Sequence, residues 1–280
     1  MTEIKASSIL SIENSELSKY KLHLACWNGD EQPLDVYLAD WSRWINWNQW
    51  RGGKNDFNRT YIFSLIQFYH EPNKWLFGGI FEVKERHDNW KETKIGYKVE
   101  LQELHKDMIG RLIIDFNRYQ GLRGRSFKLE NYFDSFKISQ ILKRSYDGIN
   151  FPGYENISID FPELQAIFKY QKTDWKAALE SVKGVYVIFD RSNGKKYVGS
   201  AYGDAGVWSR WSNYAGTGHG FNDELTKLIS QKGIDYARKY FRFCLLEYRP
   251  ARTDDSIIIK RESYWKNALL SRTEFGYNKN

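Results

Sequence analysis

Cysteine is scarce in this chain: Cys26 and Cys244 are the only two, far apart and without metal-ligand spacing. A disulfide framework and a cysteine-built zinc site are therefore not expected, and two reduced thiols suit a cytoplasmic location. Long apolar runs are also missing. Even SIIIKRESYW, late in the chain, is broken by charge within a few residues, well short of a membrane span. The opening MTEIKASSILSIENSE lacks the basic-then-apolar pattern of an export signal. No internal repeat or low-complexity tract is visible. Residues 1–180 carry no net charge, 25 Lys/Arg against 25 Asp/Glu, so broad electrostatic binding of a polyanion by that part is not expected.

Aromatic residues, in contrast, are abundant. They make up 17% of the chain, with 11 Trp and 19 Tyr that need somewhere to pack or something to stack on. A hydrophobic fraction of 41% allows a real core, and 280 residues suffice for two ordinary domains. All the excess positive charge falls in residues 181–280, which hold 17 Lys/Arg against 10 Asp/Glu. That asymmetry suits approach to a phosphate backbone.

Strand-like runs occupy Tyr20–Cys26, Tyr61–Tyr69, Trp75–Val83, Lys94–Leu101 and Arg111–Phe116, each aromatic or β-branched and separated by polar breaks. Gly78-Gly79 inside KWLFGGIFEV predicts a bulge that curves a sheet. Residues 126–144 begin as a strand and end as an apolar-periodic stretch. The expected fold class is α+β. Its N-terminal part is a curved antiparallel sheet or small barrel with helices, and its C-terminal part a small three-stranded antiparallel sheet flanked by helices. Residues 145–157, punctuated by Gly, Pro and Asn, form the best break. The boundary is placed at 160, giving a domain 1–160 and a domain 161–280 with a helical lead-in.

In the last hundred residues, GVYVIFD at 184–190 and KKYVGS at 195–200 flank an Asn-Gly pair, a strong hairpin signal that brings Tyr186 near Tyr197. FRFCLLEY at 241–248 supplies a third strand. AGVWSRWSNYA at 205–215 reads as a short helix ended by Gly216, with Arg210 and Tyr214 four apart on one face and Trp211 as a core anchor. His219, in GTGHGFN, reads as a flexible-loop residue. A second helix opens at Thr253-Asp254-Asp255 with Ile258, Trp265 and Leu269 as its inner stripe. Glu262 lies near that stripe and needs a partner, either an arginine or a divalent cation.

The ordered set Gly184-Val185-Tyr186, Tyr197-Val198-Gly199, Arg210, Tyr214, Glu262 and Asn278 resembles the GIY-YIG nuclease superfamily over residues 181–280. The phrases YVGSA, RESYWKNAL and FGYN are most similar to the form in phage homing endonucleases and some restriction enzymes. Ser200 departs from excision-repair members, which carry Lys there. The resemblance implies a phosphodiesterase in which Glu262 holds Mg²⁺ (Mn²⁺ as a substitute) and Arg210 clamps the phosphate. It further implies that Tyr186 activates the attacking water, that Tyr197 and Tyr214 orient water and phosphate, and that Asn278 orders the site. A single carboxylate suits Mg²⁺, which keeps most of its water. A phenol of pKa ~10 is a poor base at neutral pH, so whether Tyr186 or a metal-bound hydroxide takes the proton stays open.

The partner implied is double-stranded DNA, modified or unmodified, cut by a monomer or homodimer in a restriction or phage-defence role. A homing, repair or RNA-processing nuclease and a non-catalytic binding module remain the alternatives. Target choice would fall to residues 1–160. There, WSRWINWNQWRGGKNDFNR spaces Trp41, Trp44, Trp47 and Trp50 by threes among Arg43, Arg51 and Arg59. One reading is a helix burying an aromatic face. The other is a cage for an extruded base built by Trp44, Trp47, Trp50 and Arg51, on a curved sheet similar to PUA-like modified-base readers.

Overall fold

The computed structural model describes residues 3–90, 94–118, 122, 124–203 and 205–279, with backbone alone at 50–52, 90 and 94. It divides into two compact units, 1–146 and 147–280.

The first unit is built on an eight-stranded sheet. Its strands are β1 (Tyr20–Ala25), β2 (Trp50–Gly52), β3 (Tyr61–Gln67), β4 (Lys74–Trp90), β5 (Lys94–Leu101), β6 (Leu112–Asp115), β7 (Ser126–Lys128) and β8 (Lys137–Ile141). The order is β2-β5-β4-β3-β1-β7, with β6 on β4 and β8 on β6, and the sheet curls into a half-barrel. It is mixed rather than antiparallel throughout, because β1 and β3 run parallel. A parallel pair needs a crossover, and helices α1 (Pro33–Ala39) and α2 (Trp41–Gln49) lie in that connection. The apolar-periodic end of 126–144 is β8, preceded by two 3₁₀ turns that bury Phe133 and Phe136.

The expected bulge is present. Ser64 pairs with Gly79 and Leu65 with Phe77, which leaves Gly78 unpaired, and Gly79 has φ +111°. A Cβ at Gly78 would lie 2.5 Å from the Trp44 ring. Trp44 fills this notch and donates its indole N–H to the Gly78 carbonyl at 2.9 Å.

The second unit carries a four-stranded antiparallel sheet ordered β11-β10-β12-β9: β9 (Ser158–Asp160), β10 (Val182–Asp190), β11 (Lys196–Ala201) and β12 (Phe241–Pro250). The strand added to the expected three is β9, too short to be seen by pattern. Its Asp160 carboxylate accepts from Arg242 at 2.8 Å and completes a capping box on α3 (Phe161–Lys169). β9 pairs with β12 inside the second unit, which begins at Asp147. Then come α4 (Thr173–Glu180), α5 (Gly206–Thr217), α6 (Asp223–Lys232), α7 (Ile234–Tyr240) and α8 (Asp255–Ala268). Tyr186 and Ile188 join the core shared with Trp208, Trp211 and Tyr214 of α5. On the opposite face Val185, Val187 and Val198 pack against Ile258, Trp265 and Leu269 of α8. Both faces are therefore covered, and the site must lie at an edge.

Candidate active site

The β10–β11 hairpin closes with Gly194 in the left-handed region (φ +76°), its N–H on the Asp190 carbonyl at 2.8 Å. The buried Asp190 carboxylate accepts from Ser192, Asn193, Tyr236 and Tyr277, which fixes the turn. Beyond the turn, β11 forms the sheet edge, and every motif side chain touches either residues 197–200 of this strand or another motif side chain.

On the α5 face, the Tyr186 hydroxyl reaches across to Gly199. A Cβ at that glycine would lie 2.5 Å from the Tyr186 oxygen and 2.8 Å from the Tyr197 ring, so only glycine admits both tyrosines. The Tyr186 hydroxyl hydrogen-bonds the Tyr214 hydroxyl at 3.1 Å and accepts from Arg210 Nε at 3.1 Å. Arg210 also donates to the Gly220 carbonyl at 2.9 Å, and its guanidinium lies over the Tyr214 ring at 5.2 Å. The Tyr197 and Tyr214 ring centroids are 6.4 Å apart, and the Tyr197 hydroxyl has no partner among the described residues. Trp211 is fully buried, as expected of a core anchor.

On the α8 face, the Ser200 hydroxyl donates to Glu262 Oε2, and Lys266 pairs with Glu262 Oε1 at 2.8 Å. The side chains that hold this carboxylate are Ser200 and the lysine one turn along its own helix. The i, i+4 spacing of Glu262 and Lys266 could have revealed this pair. Ser200, read from sequence only as a departure from repair enzymes, is a second contact that pattern alone did not assign. Each Glu262 oxygen keeps a lone pair, so one carboxylate facing the edge fits a cation whose other ligands are phosphate and water. Among the described residues there is no cluster of three or more metal-binding side chains.

Along the free edge of β11, the Asn278 carboxamide accepts from the Val198 N–H and donates to the Val198 carbonyl, both at 2.8 Å. It acts as a one-residue strand and orders the tyrosine beside it. The Tyr277 N–H continues the edge onto the Lys196 carbonyl at 2.8 Å.

Burial pushes the Tyr186 hydroxyl far above its ordinary value; Tyr197 adds to this and Arg210 offsets part of it. Burial likewise raises Tyr214. Burial thus opposes ionisation of Tyr186, whose hydroxyl is held between Tyr214 and Arg210. His219 is not in a loose loop. Its Nδ1 accepts the Phe221 N–H and lies 3.0 Å from the Thr226 hydroxyl. The short helix extends past Gly216 to Thr217 and is capped by Gly218 at φ +79°.

Of the four residues read as a base cage, Trp44 and Trp47 have described side chains. Trp44 is fully buried and offers no surface to a base; Trp47 is half-buried against the same core. Helix α2 ends at Gln49, so Trp50 starts β2 and leaves the stripe. The side chains of Trp50 and Arg51 lie outside the described residues. Arg59 is held by Glu130 at 2.6 and 2.9 Å, and Arg43 by Glu31.

No protein-family model and no curated protein matches the chain. Two solved structures do. The catalytic domain of homing endonuclease I-TevI is 30% identical, covering 35% of this chain and 98% of that one with a TM-score of 0.27. The catalytic domain of the intron endonuclease I-TevI carrying a glutamate-to-alanine substitution is 27% identical, covering 35% and 94%, with a TM-score of 0.28. Superposition scores this low carry no argument. The residues that meet around β11 are the motif set of the GIY-YIG nuclease superfamily, to which these two domains are similar.

Proposed function

We propose that this protein is a DNA endonuclease that hydrolyses phosphodiester bonds at the β11 edge, with the N-terminal unit selecting the target in a restriction or defence role. The observation that supports it best is the hydrogen-bonded Arg210–Tyr186–Tyr214 cluster at the strand whose next residue, Ser200, holds Glu262. Arg210 presents a planar fork suited to non-bridging phosphate oxygens. Tyr186 and Tyr214 fix that fork, and the Tyr197 hydroxyl is placed to hydrogen-bond water or phosphate. Glu262 would hold Mg²⁺, with Lys266 displaced or shared. The cation, when bound, would stabilise charge developing on the phosphate and leaving oxygen. Lys266 then serves as its placeholder, neutralising a carboxylate that would otherwise be costly to half-bury.

The test is cleavage of unmodified, methylated and hydroxymethylated duplex DNA by the purified protein with Mg²⁺ or Mn²⁺, alongside Glu262→Gln. Metal-dependent cutting that the variant loses, with its melting temperature unchanged, is the expected result. Full cutting by Glu262→Gln would sink the assignment of the carboxylate, and no cutting of any substrate by the unaltered protein would sink the nuclease reading. A preference among the three DNAs identifies the modification read.

A further inference from the structure

The turn between α5 and α6 contains an expense that the site described so far does not explain. Gly218, Gly220 and Phe221 all have positive φ, +79°, +52° and +63°. Glycine takes such angles freely, whereas a bulky aromatic residue there is an outlier that persists only where its surroundings force it. The surroundings do force it. Thr217 Oγ1 accepts the His219 and Gly220 N–H groups at 3.2 and 2.9 Å, and His219 Nδ1 accepts the Phe221 N–H at 3.0 Å. Asn222 N–H donates to the His219 carbonyl at 3.0 Å. Yet the ring so fixed is not packed into the core: Phe221 is 68% exposed, with an edge contact to His219. The residue before it belongs to the site. The Gly220 carbonyl holds Arg210, and a Cβ on Gly220 would lie 2.5 Å from the Tyr214 ring.

We propose that Phe221 is a positioning residue that stacks on a nucleotide base beside the phosphate bound by Arg210. This inference rests on the nuclease reading of the site. An aromatic face fits any base, so such a contact sets the strand's position without choosing its sequence. Rigidity matters because the ring is attached, through one peptide, to the carbonyl that aims Arg210. A base stacked on Phe221 therefore fixes its own phosphate relative to the guanidinium. The side chain is held ready at a strained backbone position where glycine would be more comfortable.

The experiment compares Phe221→Gly and Phe221→Trp with the unaltered protein, on duplexes carrying the fluorescent base 2-aminopurine at successive positions. Phe221→Gly relieves the backbone strain, so it should melt at the same or a higher temperature. It should nevertheless lose about 5- to 140-fold in kcat/KM, the span expected for one stacked base, together with the 2-aminopurine response on binding. Phe221→Trp should restore both. Unchanged cutting and an unchanged fluorescence response in Phe221→Gly would overturn the stacking role while leaving the nuclease reading intact. Conversely, an unaltered protein that never cuts, but gives a fluorescence response lost in Phe221→Gly, would remove the nuclease reading and keep the stacking role.

Discussion

Tyr186 and Tyr214 sit hydroxyl to hydroxyl at 3.1 Å inside the protein, with burial opposing ionisation of both. Their folded pKa values are raised above the unfolded value of ~10. The stability they contribute is therefore complete below pH ~10 and is lost as pH rises towards the folded values, because the unfolded chain then releases protons the folded one keeps. In an alkaline titration followed by phenolate absorbance, the tyrosines should ionise in more than one step. Tyr186 and Tyr214 should ionise only as the near-ultraviolet dichroism of the fold collapses. Ionisation of all 19 tyrosines in one step at their ordinary value, with the fold intact, would show that the pair is not enclosed. At this scale the sequence was informative about identity and poor about state. Tyr186, Arg210 and Tyr214 could be named from their order. That Ser200 reaches Glu262, and that burial opposes ionisation of Tyr186, depends on enclosure and on a contact across 62 positions.

Elements formed by local chemistry were the ones legible in advance. The Asn193-Gly194 turn, the Gly78-Gly79 bulge and the acidic start of α8 each follow from neighbouring residues. What escaped was set by distant pairing. The parallel β1–β3 register needs two helices in between, and β9 exists because β12 offers an edge. The tryptophan series shows the limit of periodicity: spacing by threes continues through Trp50, but the helix stops at Gln49. Trp44→Ala should cost about 3–5 kcal/mol, as emptying a filled core site does, and thermal or denaturant unfolding measures it. A fully stable Trp44→Ala variant that altered preference among modified DNAs would revive the base cage. Asn278 offers a second element-level test. Its removal leaves the Val198 N–H and carbonyl without the carboxamide, at about 1–3 kcal/mol for each group left unsatisfied. Asn278→Ala should therefore lose stability and cutting together, and amide exchange at Val198 should quicken. Activity lost with no change in exchange would instead make Asn278 a direct substrate contact.

Across the whole molecule, the charge distribution reads differently once the units are known. Residues 1–146 hold 22 Lys/Arg against 19 Asp/Glu, and residues 147–280 hold 20 against 16. The strong asymmetry seen from position 181 onwards is offset by an acidic lead-in at 147–180, so the two units are nearly equally basic. DNA affinity should accordingly fall with salt, with a log–log slope of about 0.9 per phosphate neutralised. A salt titration of binding, made without added metal, gives that number; a flat response would mean that neither unit uses its charge. The order in which the molecule becomes competent follows from the contact between Asn278 and Val198, 80 positions apart. Chain synthesis delivers Tyr186, Tyr197, Arg210 and Glu262 first, and for that interval the strand they surround has no carboxamide along its outer side. A polypeptide still being made, or cut short before residue 278, carries the motif residues without the carboxamide that pairs with Val198. The edge of β11 is thus completed only once residue 278 has been made.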